Sequence, residues 1–410
     1  MAIVILFGCS YSNKQKTAIE DSLAYYPPTP RELPKAEFRH YYNLFKNHFE
    51  TQLLNRGFSG QLLIAKNGVI VFEKAMGFAD PRTNDSLTSN TPLHIASVGK
   101  TFTAMAILHL KDAGSLNLDD TLGKFFPGFP YPGITVKMLL SHRSGLPNYL
   151  HYLSNLNNDT CYSNQDVLNS LFVLKPGLEH ISGTRFNYSN TNFVLLAMIV
   201  EKITGESFPA FMKKTFFDPL HMENTFVYAK QDTLTPTPSF EWNGRYWEPD
   251  PFDCTYGDKN LYTTARDLLK WDQALDSSQL FKKETLDSAF TPLSNERKSI
   301  HNYGLGWRMM IFPTGKKFIY HNGRWHGSNA VFVRFPDENA TMIIIGNKFN
   351  RNIYNSAKTA YNLFGNYLPG YDQNNNNDED DNDNADNSVA EGAKKIEAPA
   401  KKIKSSKTRR

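Results

Sequence analysis

The sequence predicts an α+β fold: one antiparallel sheet built from strands near both ends of the chain, with a helical region inserted between them. Three observations predict it. Two β-rich runs flank an early turn signal, apolar helical stretches follow, and strands return late.

The early runs are Leu62-Leu63-Ile64-Ala65 and Val69-Ile70-Val71-Phe72, on either side of Asn67-Gly68. Asn-Gly suits a two-residue hairpin because both turn positions need positive φ. Helices are read from Ser97 to about Ala113, Val194 to about Ile203 and Ala265 to Leu275, where apolar residues recur at helical spacing. Late strands are read at Arg308 to Ile311 and Lys317 to Tyr320, around Pro313-Thr314-Gly315. Two more, Ala330 to Phe335 and Thr341 to Ile345, flank Pro336-Asp337-Glu338-Asn339, and a last helix runs roughly from Ile353 to Phe364.

Composition bounds the function. Of 410 residues, 40% are hydrophobic and 21% charged, a globular balance, and the 13% aromatic share suits a large core. A net charge of +4 is too weak for a phosphate-binding surface, which argues against nucleic acid as a partner. No run is long enough to span a bilayer. Three cysteines match neither a disulfide scaffold nor a zinc motif, and no metal or other cofactor is expected. Whether Cys161 and Cys254 are free or paired stays open. A monomer is expected.

Residues 1–35 read as leader and linker, with Tyr26-Pro27-Pro28-Thr29-Pro30 unable to form a helix. Leu6-Phe7-Gly8-Cys9 resembles a bacterial lipobox, although no basic segment precedes it. It implies export to the cell envelope and a lipid anchor on Cys9. Residues 36–368 are evenly mixed and form the folded domain. Residues 369–410 are acidic and Asn-rich, then basic, and read as a disordered tail because they carry too little apolar surface to fold.

The candidate chemistry starts at Ser97-Val98-Gly99-Lys100, ahead of Thr101-Phe102-Thr103-Ala104-Met105-Ala106-Ile107-Leu108. Residues i and i+3 share a helix face, so the hydroxyl and the amine point to one spot. A serine hydroxyl needs a base to become a nucleophile. A lysine serves when burial or nearby positive charge favours its neutral form. No other Ser-x-x-Lys spacing occurs in the chain. A lysine leading into an apolar helix also needs a reason to be there.

Leu93-His94-Ile95-Ala96-Ser97-Val98-Gly99-Lys100-Thr101-Phe102-Thr103 resembles the nucleophile segment of the class C β-lactamase-like, penicillin-recognising serine hydrolases. Ala113 to Asp120, Ile134 to Leu146, Gly257 to Leu268 and Tyr303-Gly304-Leu305-Gly306-Trp307 resemble further blocks of that family, in its order. The resemblance covers about 45 to 365. It implies acyl transfer on a peptide or small-molecule amide or ester, with Ser97 as nucleophile and Lys100 and Tyr188 moving protons. Tyr-x-Asn, the family's second element, fits at Tyr11, Tyr41, Tyr162 and Tyr188. Tyr188-Ser189-Asn190 is favoured because an apolar helix follows it. Asn190 would then donate to the substrate's amide oxygen and help hold Lys100.

The third element is Lys-Thr-Gly or His-x-Gly on a strand. His321-Asn322-Gly323 fits, after the strand Lys317 to Tyr320; His326-Gly327 is set aside for lacking such a strand. The resemblance implies an oxyanion hole formed by the backbone N–H of Ser97 and of Arg324. Histidine stands where the family often has lysine, and Asn322 where it has Thr or Ser. A histidine largely neutral near pH 7 weakens carboxylate recognition. This favours a D-Ala-type peptidase or an esterase over a β-lactamase proper. A silent sensor of wall peptides is the rival class. His142 reads as structural, since a lysine already fills the role of base. No Gly-x-Ser-x-Gly elbow and no His-Glu-x-x-His appear.

Overall fold

The structure, a computed structural model, describes residues 32–154, 161–230, 236–275, 280–296, 298–365 and 367. Cys9, Tyr11 and the C-terminal tail lie outside the described residues. Seven strands form the main sheet: β1 (Gly60–Lys66), β2 (Val69–Met76), β3 (His301–Tyr303), β4 (Arg308–Ile311), β5 (Lys317–Trp325), β6 (Ser328–Phe335) and β7 (Ala340–Gly346). Their order is β2-β1-β7-β6-β5-β4-β3 and every pairing is antiparallel. The first and last parts of the chain meet where β1 pairs with β7, Leu63 opposite Ile343. The β1–β2 turn has Asn67 at φ 54° and Gly68 at φ 77°, the positive pair that Asn-Gly supplies.

The central strands are apolar at successive positions because both faces are covered. Leu63, Ala65, Ile319, Phe332, Ile343 and Ile345 face the inserted helices. Their neighbours Leu62, Ile64, Phe318, Val333, Met342 and Ile344 face the terminal helices. Those are α1 (Lys35–Phe49), before β1, and α6 (Asn352–Ala360), after β7. The inserted region is carried by α2 (Gly99–Asp112), α3 (Asn164–Leu174), α4 (Asn190–Thr204) and α5 (Ala265–Leu275). Helix α3 starts in a capping box of Ser163 and Asp166. Helix α4 stops at Gly205, whose φ of 71° only glycine adopts without strain.

Some boundaries differ from the sequence reading. Helix α4 begins at Asn190, before its apolar run. Strand β5 continues beyond Tyr320 to Trp325 and carries His321 to Arg324. His326-Gly327 therefore does follow a strand: it is the β5–β6 turn, with His326 at φ 51°. Cys161 and Cys254 are joined in a disulfide, closing a loop with a sequence separation of 93 residues. Among the described residues no helix is long and apolar enough to cross a membrane.

Candidate active site

Ser97 sits in a single 3-10 turn, Ala96–Val98, that runs directly into α2. Ala96 has φ 47°, a left-handed conformation that costs a non-glycine residue of the order of 1 kcal/mol or more. Ala96 is held by packing with Val194, Tyr149 and Trp325. The strain turns the chain sharply at the residue before the serine.

Helix α2 lies inside the core and buries Lys100 completely. The amine nonetheless has polar company: Lys100 Nζ donates to Ser97 Oγ (2.9 Å) and to the carbonyl oxygen of Asp258 (2.7 Å). It also lies 5.0 Å from the centre of the Tyr188 ring and 5.8 Å from that of Phe193. The serine and lysine thus meet as their spacing predicted, and Asp258 joins them from the loop before α5.

Tyr188 and Asn190 sit at the entry to α4, and Asn190 is buried as its first residue. Two of the other Tyr-x-Asn matches within the described residues, Tyr41 and Tyr162, pack elsewhere. Tyr41 packs on Phe45 and Phe364 beside the terminal helices, and Tyr162 stacks on Phe252. His142 backs Tyr188, with ring centres 4.3 Å apart. Its Nδ1 accepts from the Ser189 N–H (3.2 Å) and is 3.1 Å from Asn192 Nδ2. Burial, then the nearby charges of Lys100, His321 and Arg308, hold its pKa well below the usual histidine value. A neutral ring with an accepting Nδ1 fits that shift.

His321 is fully buried on β5, its ring 6.5 Å from that of Tyr188. Its Nδ1 lies 2.6 Å from the carbonyl oxygen of Asn322; a carbonyl only accepts, so Nδ1 carries the proton. Its Nε2 then faces the Tyr303 hydroxyl at 3.4 Å. Gly323 comes closest to the nucleophile. A Cβ there would stand 2.1 Å from the Ile95 carbonyl oxygen and 3.1 Å from the Ser97 nitrogen. Only a glycine lets β5 approach the Ser97 backbone this closely.

Asn322 is half-buried and its Oδ1 accepts no hydrogen bond among the described residues. Strand β4 pairs with β5 only as far as Tyr320, opposite Arg308, so the edge from His321 to Trp325 is not covered by β4. The Arg324 guanidinium lies over the Phe349 ring, 4.7 Å from its centre. The guanidinium beside the site is Arg308, 5.4 Å from the centre of the Tyr188 ring and 6.0 Å from that of Tyr303. Sequence reading missed Arg308, which lies at the start of a strand named for its apolar residues.

Asp250, Asp253 and His326, which could ligate a metal, bring ligand atoms within 4.8 Å of one another. Asp253 already accepts from Trp325 Nε1 (2.7 Å) and lies 2.9 Å from His326 Nε2.

The family model described as Beta-lactamase matches residues 46–365. Penicillin-binding protein 4* of Bacillus subtilis (strain 168) is 31% identical over 328 residues, covering 75% of this chain and 72% of that protein. The crystal structure of a penicillin binding protein from Bacillus halodurans superposes with a TM-score of 0.69 at 23% identity, covering 77% of this chain and 99% of that one. The D-amino acid amidase of Ochrobactrum anthropi SV3, complexed with L-phenylalanine, has a TM-score of 0.62 at 22% identity, covering 78% and 98%. These structures share the fold of this chain.

Proposed function

Because the chain belongs to the β-lactamase family, we propose that it is a serine hydrolase that cleaves an amide or ester through an acyl-enzyme on Ser97. One observation carries the reading. A fully buried lysine amine is bonded to a serine hydroxyl whose own backbone nitrogen faces a glycine strand edge.

Ser97 Oγ attacks the substrate carbonyl carbon, and its proton passes to an uncharged Lys100 amine. The Asp258 carbonyl holds that amine in reach of the hydroxyl. The tetrahedral oxygen takes hydrogen bonds from the N–H groups of Ser97 and Arg324, worth about 10²–10³ in rate for each donor in comparable sites. Tyr188 hands a proton to the leaving amine or alcohol. Negative charge arising on its oxygen would be met by Lys100 and Arg308. Water then cleaves the ester on Ser97 by the reverse proton route.

The substrate class is a D-Ala-type peptide, a D-amino-acid amide or a short ester. The penicillin-binding and amidase names of the relatives support this range. Histidine in place of lysine at position 321 argues against efficient β-lactam turnover, and Asn190 and Asn322 offer amide groups for the substrate backbone. Arg308 is suited to a substrate carboxylate. Cys9 would anchor the enzyme in the cell envelope; metabolic labelling with a fatty acid, lost in Cys9→Ala, is expected. The test of function is turnover of D-Ala peptides, D-amino-acid amides, short esters and a chromogenic cephalosporin by wild type and Ser97→Ala. Ser97-dependent turnover of an amide or ester is expected, and equal turnover by both proteins overturns the reading.

A further inference from the structure

Behind the Ser97–Lys100 pair lies a second buried lysine that the mechanism does not use. Lys259 Nζ donates to Thr255 Oγ1 (2.6 Å), to Asp258 Oδ2 (3.1 Å) and to the Tyr149 hydroxyl. Three acceptors match the three protons of an ammonium group. The Tyr149 hydroxyl in turn donates to Asp258 Oδ2 (2.8 Å). Both charged groups are buried, and Asp258 Oδ1 has no hydrogen-bond partner among the described residues. Removing such a pair from water is costly, so its presence calls for a reason other than stability.

Its position supplies one. Asp258 is two-ended: its carboxylate is tied to Lys259, and its carbonyl oxygen accepts from Lys100. The Lys259 ammonium also lies 4.6 Å from the centre of the Trp325 ring and 5.1 Å from that of Tyr149. These rings pack around Ala96, the strained residue before Ser97, and Trp325 is two residues beyond Gly323. The pair therefore touches both the lysine's support and the strand edge beside the nucleophile.

We propose that Asp258 and Lys259 are positioning residues: a buried ion pair that fixes the Asp258 carbonyl under Lys100 and sets the electrostatic balance around its amine. The proposal deepens, and rests on, the reading of Lys100 as the base for Ser97. The other charged or titratable groups around this region are Tyr188, His142, His321 and Arg308 on the site side. On the far side are His94, Asp250, Asp253 and His326.

The test is the rate of Ser97 labelling by a fluorophosphonate across pH 4 to 10, which needs no natural substrate. The rate rises as the Lys100 amine loses its proton. Asp258→Asn removes a negative charge near that amine, so the midpoint of the rise falls, by about one pH unit for a charge one residue away in a protein interior. Lys259→Met leaves the carboxylate without its counter-charge, so the midpoint rises by a similar amount. The double variant returns toward wild type. A residue with only a packing role would lower the rate without moving the midpoints in opposite directions.

Midpoints that stay within about 0.3 units of wild type, or that move together, overturn the proposal. Should Lys259→Met fail to fold by circular dichroism, the near-isosteric Asp258→Asn decides alone: a lower midpoint is expected, and an unchanged one overturns it. Absence of Ser97-dependent labelling in wild type overturns both the proposal and the function it rests on. Ser97-dependent labelling with unmoved midpoints overturns the proposal alone.

Discussion

Gly323→Ala is the smallest change that separates the two halves of the proposed site. The added methyl would stand 2.1 Å from the Ile95 carbonyl oxygen. Ordinary contact begins near 3.4 Å, so β5 or the Ile95–Ser97 segment must give by about 1 Å. Neither can do so freely. Strand β5 is bonded along its length to β6, and Ile95 to Val98 are buried apart from half-buried Ser97. Overpacking of this kind costs about 1–3 kcal/mol of stability. A shift of about 1 Å between the two N–H donors costs about 10²-fold in rate. The assay is kcat/KM on an activated ester, with urea unfolding measured on the same protein. The expected result is a folded variant whose kcat/KM falls about 100-fold, mostly in kcat. A folded Gly323→Ala protein within about threefold of wild type would refute the placement of the oxyanion site.

Other outcomes follow from the same geometry. Arg308→Met is expected to raise KM about tenfold or more for a substrate ending in a free carboxylate and to leave KM for the matching amide nearly unchanged, with kcat lowered for both, as steady-state kinetics on the pair would show. His94 accepts a hydrogen bond from the Asn260 N–H on Nε2, and burial, opposed by Asp253, lowers its pKa to about 3. The unfolded chain therefore binds this proton first. His94's contribution is complete above about pH 6.5 and is lost as pH falls toward 3, by about 3 kcal/mol at pH 4.5. Urea unfolding at pH 7.5 and 4.5 should show that loss, with a smaller difference in His94→Gln. The Cys161–Cys254 bond restrains the unfolded chain, so Cys161→Ser with Cys254→Ser is expected to lose about 2–4 kcal/mol in denaturant unfolding without shifting KM.

The legible parts of the fold were those set by local chemistry. Asn67-Gly68 specified its hairpin because few other residue pairs fill two positive-φ positions. The apolar runs of β6 and β7 and the helical period of α2 and α5 marked themselves within a residue or two. Strand β5 was cut short because His321-Asn322-Gly323-Arg324 is polar or small. It is a strand because β6 pairs with it, which no local propensity records.

The site divides in the same way. Ser97 and Lys100 were readable because a single helical turn brings them together. Tyr188 needed the ordered family blocks, since five Tyr-x-Asn spacings occur in the chain, Tyr320-His321-Asn322 among them. Arg308 and the Asp258 carbonyl were invisible, because the one reaches the site across the sheet edge and the other acts through its backbone. The Cys161–Cys254 pairing likewise depends on the fold. The direction of the Arg324 side chain needed Phe349 in place.

The central claim is that Ser97 is the acyl acceptor. It is tested most directly by intact-mass and peptide mass spectrometry after brief exposure to a fluorophosphonate and, separately, to benzylpenicillin. The expected result is one covalent adduct per chain with the fluorophosphonate, located on Ser97, absent in Ser97→Ala and slowed in Lys100→Met. Benzylpenicillin, where it reacts, should add to the same residue. A fluorophosphonate adduct on any other residue, or an undiminished adduct in Ser97→Ala, would contradict the account.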